Sequence, residues 1–424
     1  MTRPNNVTTN YAYDNLSRLT SVLHQLAGST IDGATYTVDN AGNRTAKTDQ
    51  RTAVATSYGY DNIYQLLSAM QGATTTENYT YDPVGNRLSD LSTSGWSNNT
   101  SNELTSRPGL SYTFDANGNT TGKTDSTGTT SYTWDLENRL TSATLPGAGG
   151  IVSFKYDPFG RRIYKSSSSG TSIFAYDNDN LIEETNSAGA VVARYTQTQN
   201  TDEALAMLRS GATSFYEIDG LSTVTSLSNA AGALAQTYTF DSFGNQTASS
   251  GSLTNAFRFT GREFDSETNL QFSRARYYDP SSGRFLSEDP IKFDGGVNFY
   301  RYVGNDPTDS TDPYGLLQLC CRVARSVYWL GIKGCHCFLK LSDGTTLGGY
   351  FKLSTYLLLE KRPNENDDRN PKDTPDCKDL PGSDCDARRA FGESAKVSAV
   401  WARRNEQFHT SRRSYSCWRP IQNA

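Results

Sequence analysis

The feature that most constrains this chain is a phrase that returns with variations: aromatic, any residue, aromatic, Asp, and then a turn of the Gly-Asn-Arg kind. A full copy runs Tyr79-Thr80-Tyr81-Asp82-Pro83-Val84-Gly85-Asn86-Arg87, and related copies begin at Tyr11, Tyr36, Tyr58, Tyr112, Tyr132, Phe154, Phe174 and Tyr238. The aspartates fall at 14, 39, 61, 82, 115, 135, 157 and 177, in steps of 20 to 25 residues except for one of 33 between 82 and 115. Large side chains alternate with small or polar ones in each copy, which is strand periodicity. Asp and Asn bond their own backbone and Gly accepts positive φ, so the end of each phrase is a turn. Each repeat is therefore expected to be one β-hairpin whose aromatics stack on those of the next. A lone hairpin is marginal in water and an array of them is stable. Such a period implies a strand-built wall and not a compact enzyme core.

Only 35% of the 424 residues are hydrophobic, yet 25 are tyrosine. Disordered chains are poor in aromatics, so this balance argues for β-structure. Evenly spaced aromatics could also form a platform for sugars or bases, but one per turn favours a structural ladder. No apolar run approaches the roughly 20 residues of a membrane-spanning helix. Met1-Thr2-Arg3-Pro4-Asn5-Asn6 lacks the apolar stretch of a Sec signal, which fits either a true start without Sec export or a cut through a longer protein.

The chain changes character near residue 317. All seven cysteines (Cys320, Cys321, Cys335, Cys337, Cys377, Cys385 and Cys417) follow Leu319. Residues 317–424 carry 18 Lys and Arg against 12 Asp and Glu, whereas residues 1–316 carry 22 against 33.

The repeated phrases resemble the Tyr-Asp repeats of the Rhs, or YD-repeat, family of bacterial polymorphic toxins. The likeness continues through Tyr238-Thr239-Phe240-Asp241-Ser242-Phe243-Gly244-Asn245. It is most specific in Arg276-Tyr277-Tyr278-Asp279-Pro280, Arg284-Phe285-Leu286-Ser287-Glu288-Asp289-Pro290, Asn298-Phe299-Tyr300-Arg301-Tyr302 and Asp312-Pro313-Tyr314-Gly315-Leu316, which resemble the family's core-associated segment. The resemblance covers residues 10–316. It implies a mainly β fold, a spiralling hairpin shell that encloses a C-terminal toxin, followed here by a small α+β Cys-rich domain. The corresponding divisions are repeats over 1–210, the core segment over 211–316 and a variable tail over 317–424. The repeats are few for a full shell, so a partial cocoon, a truncated gene and an orphan cassette all remain open.

The resemblance also implies self-cleavage after Leu316, at the Leu316–Leu317 bond, by Asp289 and Asp312. Two close carboxylates can share one proton, because like charges at short range cannot both ionise. One then acts as general base on water. The competing reading makes both of them turn residues before proline. Arg284 and Arg276 are weaker candidates for positioning a carboxylate, and Asp279 is the alternative member of the dyad.

The tail admits three readings. A strand from Cys335 to Leu341, a turn at Ser342-Asp343-Gly344, a return strand to Tyr350-Phe351, a loop over 361–386 and a helix over 387–409 are expected. In the first reading, His336 is the base and Cys385, ahead of the helix, the nucleophile of a thiol hydrolase. In the second, the sulfurs of Cys320, Cys321, Cys335 and Cys337 are structural, as disulfides or a zinc site, although no CxxC pair is present; no other cofactor is expected. In the third, the basic stretch around Arg403, Arg404, Arg412 and Arg413, with Trp401, Tyr415 and Trp418 interleaved, contacts nucleic acid, with His409 and Glu406 as a nuclease pair. As a whole, the chain reads as a secreted or surface-delivered toxin with a cognate immunity protein and a secretion-machinery partner. The opposing reading is a structural surface protein whose repeats bind carbohydrate.

Overall fold

The turn at Asp82 shows how the repeated phrase becomes structure. Its backbone N–H donates to the Asn86 carbonyl at 2.9 Å, and its Oδ1 accepts the N–H groups of Val84 (3.0 Å) and Asn86 (2.8 Å). Its Oδ2 then takes the Asn86 side-chain amide at 2.9 Å. The same closure, from Asp to the residue four positions on, recurs at Asp39 with Asn43, Asp61 with Gln65, Asp115 with Asn119 and Asp241 with Asn245. At Asp14, Asp135 and Asp157 an arginine fills that fourth position. The residue just before the fourth position has positive φ, as at Gly85 (82°) and Asn138 (57°), which favours glycine or asparagine there, although Ser17 (60°) and Tyr64 (66°) adopt it in two copies.

In the computed structural model, residues 1–316 are described throughout, together with the strands Cys321–Val323, Gly334–Lys340, Thr346–Leu353 and Leu359–Arg362 beyond them. The chain divides into two compact units, Met1–Leu317 and Gln318–Ala424. The first is an antiparallel meander. Seven strands from Val7–Tyr13 to Thr74–Asn78 form one sheet, Thr80–Tyr81 and Arg87–Ser89 a short ribbon, and sixteen strands from Ser97–Asn98 to Gln246–Gly251 a second sheet. Each strand bonds to its neighbours in sequence. A separate four-stranded sheet follows, made of Glu263–Asp265, Leu270–Ser273, Arg276–Asp279 and Arg284–Phe285. Among the described residues, no helix is long and apolar enough to cross a membrane.

Consecutive repeats are joined by the second aromatic of the phrase, the residue just before Asp. The Tyr81 hydroxyl donates to the Leu66 carbonyl at 2.9 Å, Tyr156 to Leu140 at 2.6 Å and Tyr176 to Arg162 at 2.9 Å. Trp134 does the same through its indole N–H, to the Thr120 carbonyl at 2.7 Å. The acceptor is in each case five residues after the preceding repeat's turn aspartate. The aromatics of successive repeats share apolar clusters, Tyr132 and Trp134 with Phe154 and Tyr156 in one and Tyr58 and Tyr60 with Tyr79 and Tyr81 in another, and this bond adds a polar tie between them. The rings also meet the core segment: Phe154 lies 5.3 Å from Tyr277, Tyr156 6.3 Å from Phe272 and Tyr195 5.1 Å from Phe257. Such pairs contribute about 0.5–1.5 kcal/mol each beyond the area they bury.

Buried ion pairs tie the wall to the same segment. Arg162, fully buried, donates to Glu263 at 2.7 Å and also pairs with Asp265. The first sheet returns onto the strands Ala212–Ile218 and Val224–Ser228, where Arg3 meets Glu217 at 2.6 Å and the His24 Nε2 faces the Ile218 carbonyl at 2.9 Å. In the second unit, Gly334–Lys340 pairs antiparallel with Thr346–Leu353, Cys335 standing opposite Phe351. His336 lies on the first of these strands. Cys385, the loop over 361–386 apart from the end of the strand Leu359–Arg362, and the helix over 387–409 lie outside the described residues.

Candidate active site

The hairpin joining Leu270–Ser273 to Arg276–Asp279 turns at Arg274 and Ala275, with Arg274 at φ 53°. Against it lies the strap Asp312–Leu316. Arg276 points inward from this hairpin, its guanidinium carbon 3.5 Å from the centre of the Phe285 ring. Its Nη2 donates to Asp289 Oδ2 at 3.0 Å and lies 3.4 Å from Asp312 Oδ2. Its Nη1 donates to the Phe299 carbonyl at 2.8 Å, and its Nε to the Gly315 carbonyl. One guanidinium thus gathers two aspartates that are 23 residues apart, at 1% and 2% exposure.

Local structure fixes each carboxyl. Asp289 opens a turn, its Oδ1 accepting the Ile291 N–H at 3.1 Å while its backbone N–H bonds the Phe299 carbonyl at 3.0 Å. Asp312 Oδ1 accepts the Leu316 N–H at 2.8 Å, so this residue folds its own chain back toward Leu316. Burial pushes the Asp312 carboxyl up to about 7; the Asp289 carboxylate adds to the rise, and Arg276 and the Leu316 N–H oppose it. Gly315, at φ 66°, fits because it has no side chain: a Cβ there would overlap the Ser273 carbonyl.

The structure brings Asp289, Asp312, Arg276 and Leu316 together. The other two sequence candidates stand elsewhere. Asp279 pairs with Lys123 at 2.9 Å, and despite the burial that opposes it, this cation holds the carboxyl below its usual range. Arg284 donates to the side chains of Asn86 (2.9 Å) and Asn98 (3.1 Å), locking the core segment to the short ribbon and the wall. Neither supports the dyad, because both are spent on wall contacts. The position of Leu317 and the side chains of His336 and Cys385 lie outside the described residues. Among the described residues, no cluster of three or more His, Cys, Asp or Glu could hold a metal. A cavity of about 460 Å³, lined by Lys47, Tyr58, Glu77, Asp219 and Asp241 among others, lies between the first sheet and the strands beyond residue 219 and borders neither Asp289 nor Asp312.

The family model for the teneurin YD-shell matches residues 51–308. The tRNA nuclease WapA of Bacillus subtilis is 33% identical over 273 residues, which is 60% of this chain and 12% of that protein. The double-stranded DNA deaminase toxin A of Burkholderia cenocepacia is 28% identical over 316 residues, 66% of this chain and 22% of that protein. The chain therefore spans a small part of these relatives' length. Among solved structures, the TcdB2–TccC3–Cdc42 complex superposes with a TM-score of 0.63 over 74% of this chain and 18% of that one, at 21% identity, which shows a shared fold.

Proposed function

The chain belongs to the YD-shell family, and from that premise we propose that it is the cargo-bearing end of a toxin shell, which cuts itself after Leu316 and frees residues 317–424 as an effector. The observation that carries the reading is Arg276, whose single Nη2 faces Asp289 and Asp312 while its Nε holds the carbonyl just ahead of Leu316. Arg162 also faces two carboxylates, Glu263 and Asp265, but only at Arg276 does the same guanidinium hold the strap ahead of Leu316. Asp312, with its proton held to about 7, is the acid, and Asp289 the base. Asp289 takes a proton from water as the water oxygen bonds to the Leu316 carbonyl carbon. Asp312 gives its proton to the Leu317 nitrogen as the C–N bond breaks, leaving a carboxylate and an amine.

A freed toxic effector calls for an immunity protein in the producing cell, and a shell of this kind for a delivery apparatus that carries it out. The test is mass spectrometry of the expressed chain. The parent should yield a fragment beginning at Leu317, and Asp289→Asn should remain whole. A fragment of the same mass from Asp289→Asn refutes the assignment.

A further inference from the structure

Three consecutive residues of the hairpin grip three consecutive carbonyls of the strap. Arg274 Nη1 donates to the Pro313 carbonyl, the Ala275 N–H to the Tyr314 carbonyl at 3.1 Å, and Arg276 Nε to the Gly315 carbonyl. The next residue in this register is Leu316, where the proposed cut falls. Arg276 is bound to the carboxylates, but Arg274 touches neither of them. It is held from the wall: Asp202 accepts Arg274 Nη2 at 2.8 Å and Nη1 at 3.2 Å, and the Asp179 carbonyl accepts Nη2 at 3.1 Å. Asp202 sits in the loop after the strand Val191–Gln197, at φ 66°, and Arg262 pairs with it from the core segment. The same loop reaches the strap once more, with Thr201 Oγ1 3.4 Å from the Tyr314 hydroxyl.

We propose that Arg274, aimed by Asp202 from the wall, is a positioning residue that sets the register of the strap, so that cleavage proceeds only once this wall loop has closed on the core segment. The inference rests on the self-cleavage proposed above. Its physical content is that the bond to be cut is aligned by contacts the carboxylates do not make, and misplacement of a reacting bond by about 1 Å can cost roughly a hundredfold in rate. Because Asp202 and Asp179 belong to repeats more than seventy residues ahead of Arg274, the clamp cannot form before that part of the wall has folded.

The experiment is a time course of full-length chain made by cell-free translation, read by gel and intact mass. Arg274→Met and Asp202→Asn should cleave roughly tenfold to a hundredfold more slowly than the parent, with an unchanged pH profile, and Arg274→Lys should recover part of the rate. Arg209→Met, which breaks the wall ion pair with Glu184 and touches no part of the strap, should cleave at the parental rate. Parental rates and the parental cut site in both Arg274→Met and Asp202→Asn would overturn the proposal. So would an equal slowing in Arg209→Met, which would make the effect one of general stability. Asp289→Asn in the same series separates the two ideas: cleavage in that variant sinks the catalytic reading, whereas its inertness beside a fast Arg274→Met sinks only the clamp.

Discussion

Replacing Glu77 by glutamine should make the shell more stable at pH 8 while leaving it almost unchanged at pH 4.5. Glu77 ends the first sheet and accepts the Ser242 N–H (3.1 Å), the Ser242 hydroxyl (3.0 Å) and the Tyr79 hydroxyl (2.9 Å), joining two parts of the wall 165 residues apart. Burial pushes its carboxyl from 4.5 up to about 7, and the neighbouring Asp241 adds to the rise. A raised carboxyl binds its proton more tightly in the folded than in the unfolded chain. Its contribution is therefore complete below pH 4.5 and is lost as pH climbs to about 7. Each tenfold change in proton affinity corresponds to ~1.4 kcal/mol, so the loss is on the order of 3 kcal/mol. Urea unfolding at several pH values, parent against Glu77→Gln, measures it. Asp306 and Asp312, also raised to about 7, titrate in both proteins and cancel in the difference. The difference should grow from near zero at pH 4.5 to on the order of 3 kcal/mol at pH 8. A difference that does not change with pH refutes the reasoning.

Arg162→Leu strands Glu263 and Asp265 in the interior. Removing one partner of a buried ion pair costs about 3–5 kcal/mol, and Lys165, 3.2 Å from Asp265, should hold the loss to the lower end in denaturant unfolding. Gly315→Ala meets the Ser273 carbonyl and needs positive φ, so it should abolish the Leu317 fragment in mass spectra. The unfolding midpoint of the wall should barely move, because the strap is one short segment of it.

The repeats were legible because their logic is local: an aspartate, a residue with positive φ and a partner four positions on are all written within one turn. The role of the second aromatic was not, because the carbonyl it reaches belongs to the preceding repeat and carries no sequence signal. Asp289 and Asp312 were visible through the resemblance alone; as Asp-Pro pairs they look like any other turn. Arg276 drew less weight than it merits, since Arg262, Arg274, Arg276 and Arg284 are all buried or nearly so, and sequence cannot tell which of them faces a carboxylate. The signal that could have singled it out is its place two residues beyond Arg274, across a tight hairpin opposite a glycine. For the tail, no repeat exists to average over, and seven cysteines allow too many pairings to choose among.

The bond between repeats has one further consequence. Its donor is a side chain, but its acceptor is a backbone carbonyl, present whatever residue occupies that place: Leu66, Thr120, Leu140 and Arg162 serve equally. Each hairpin thus asks nothing of its predecessor's side chains at this contact. At this contact a substitution in the preceding repeat leaves the acceptor in place, so the side chains there are constrained only by what they pack against elsewhere. The coupling works like a standard hook on a train, while what each carriage carries, such as Arg162 for Glu263 and Asp265, still fixes its place.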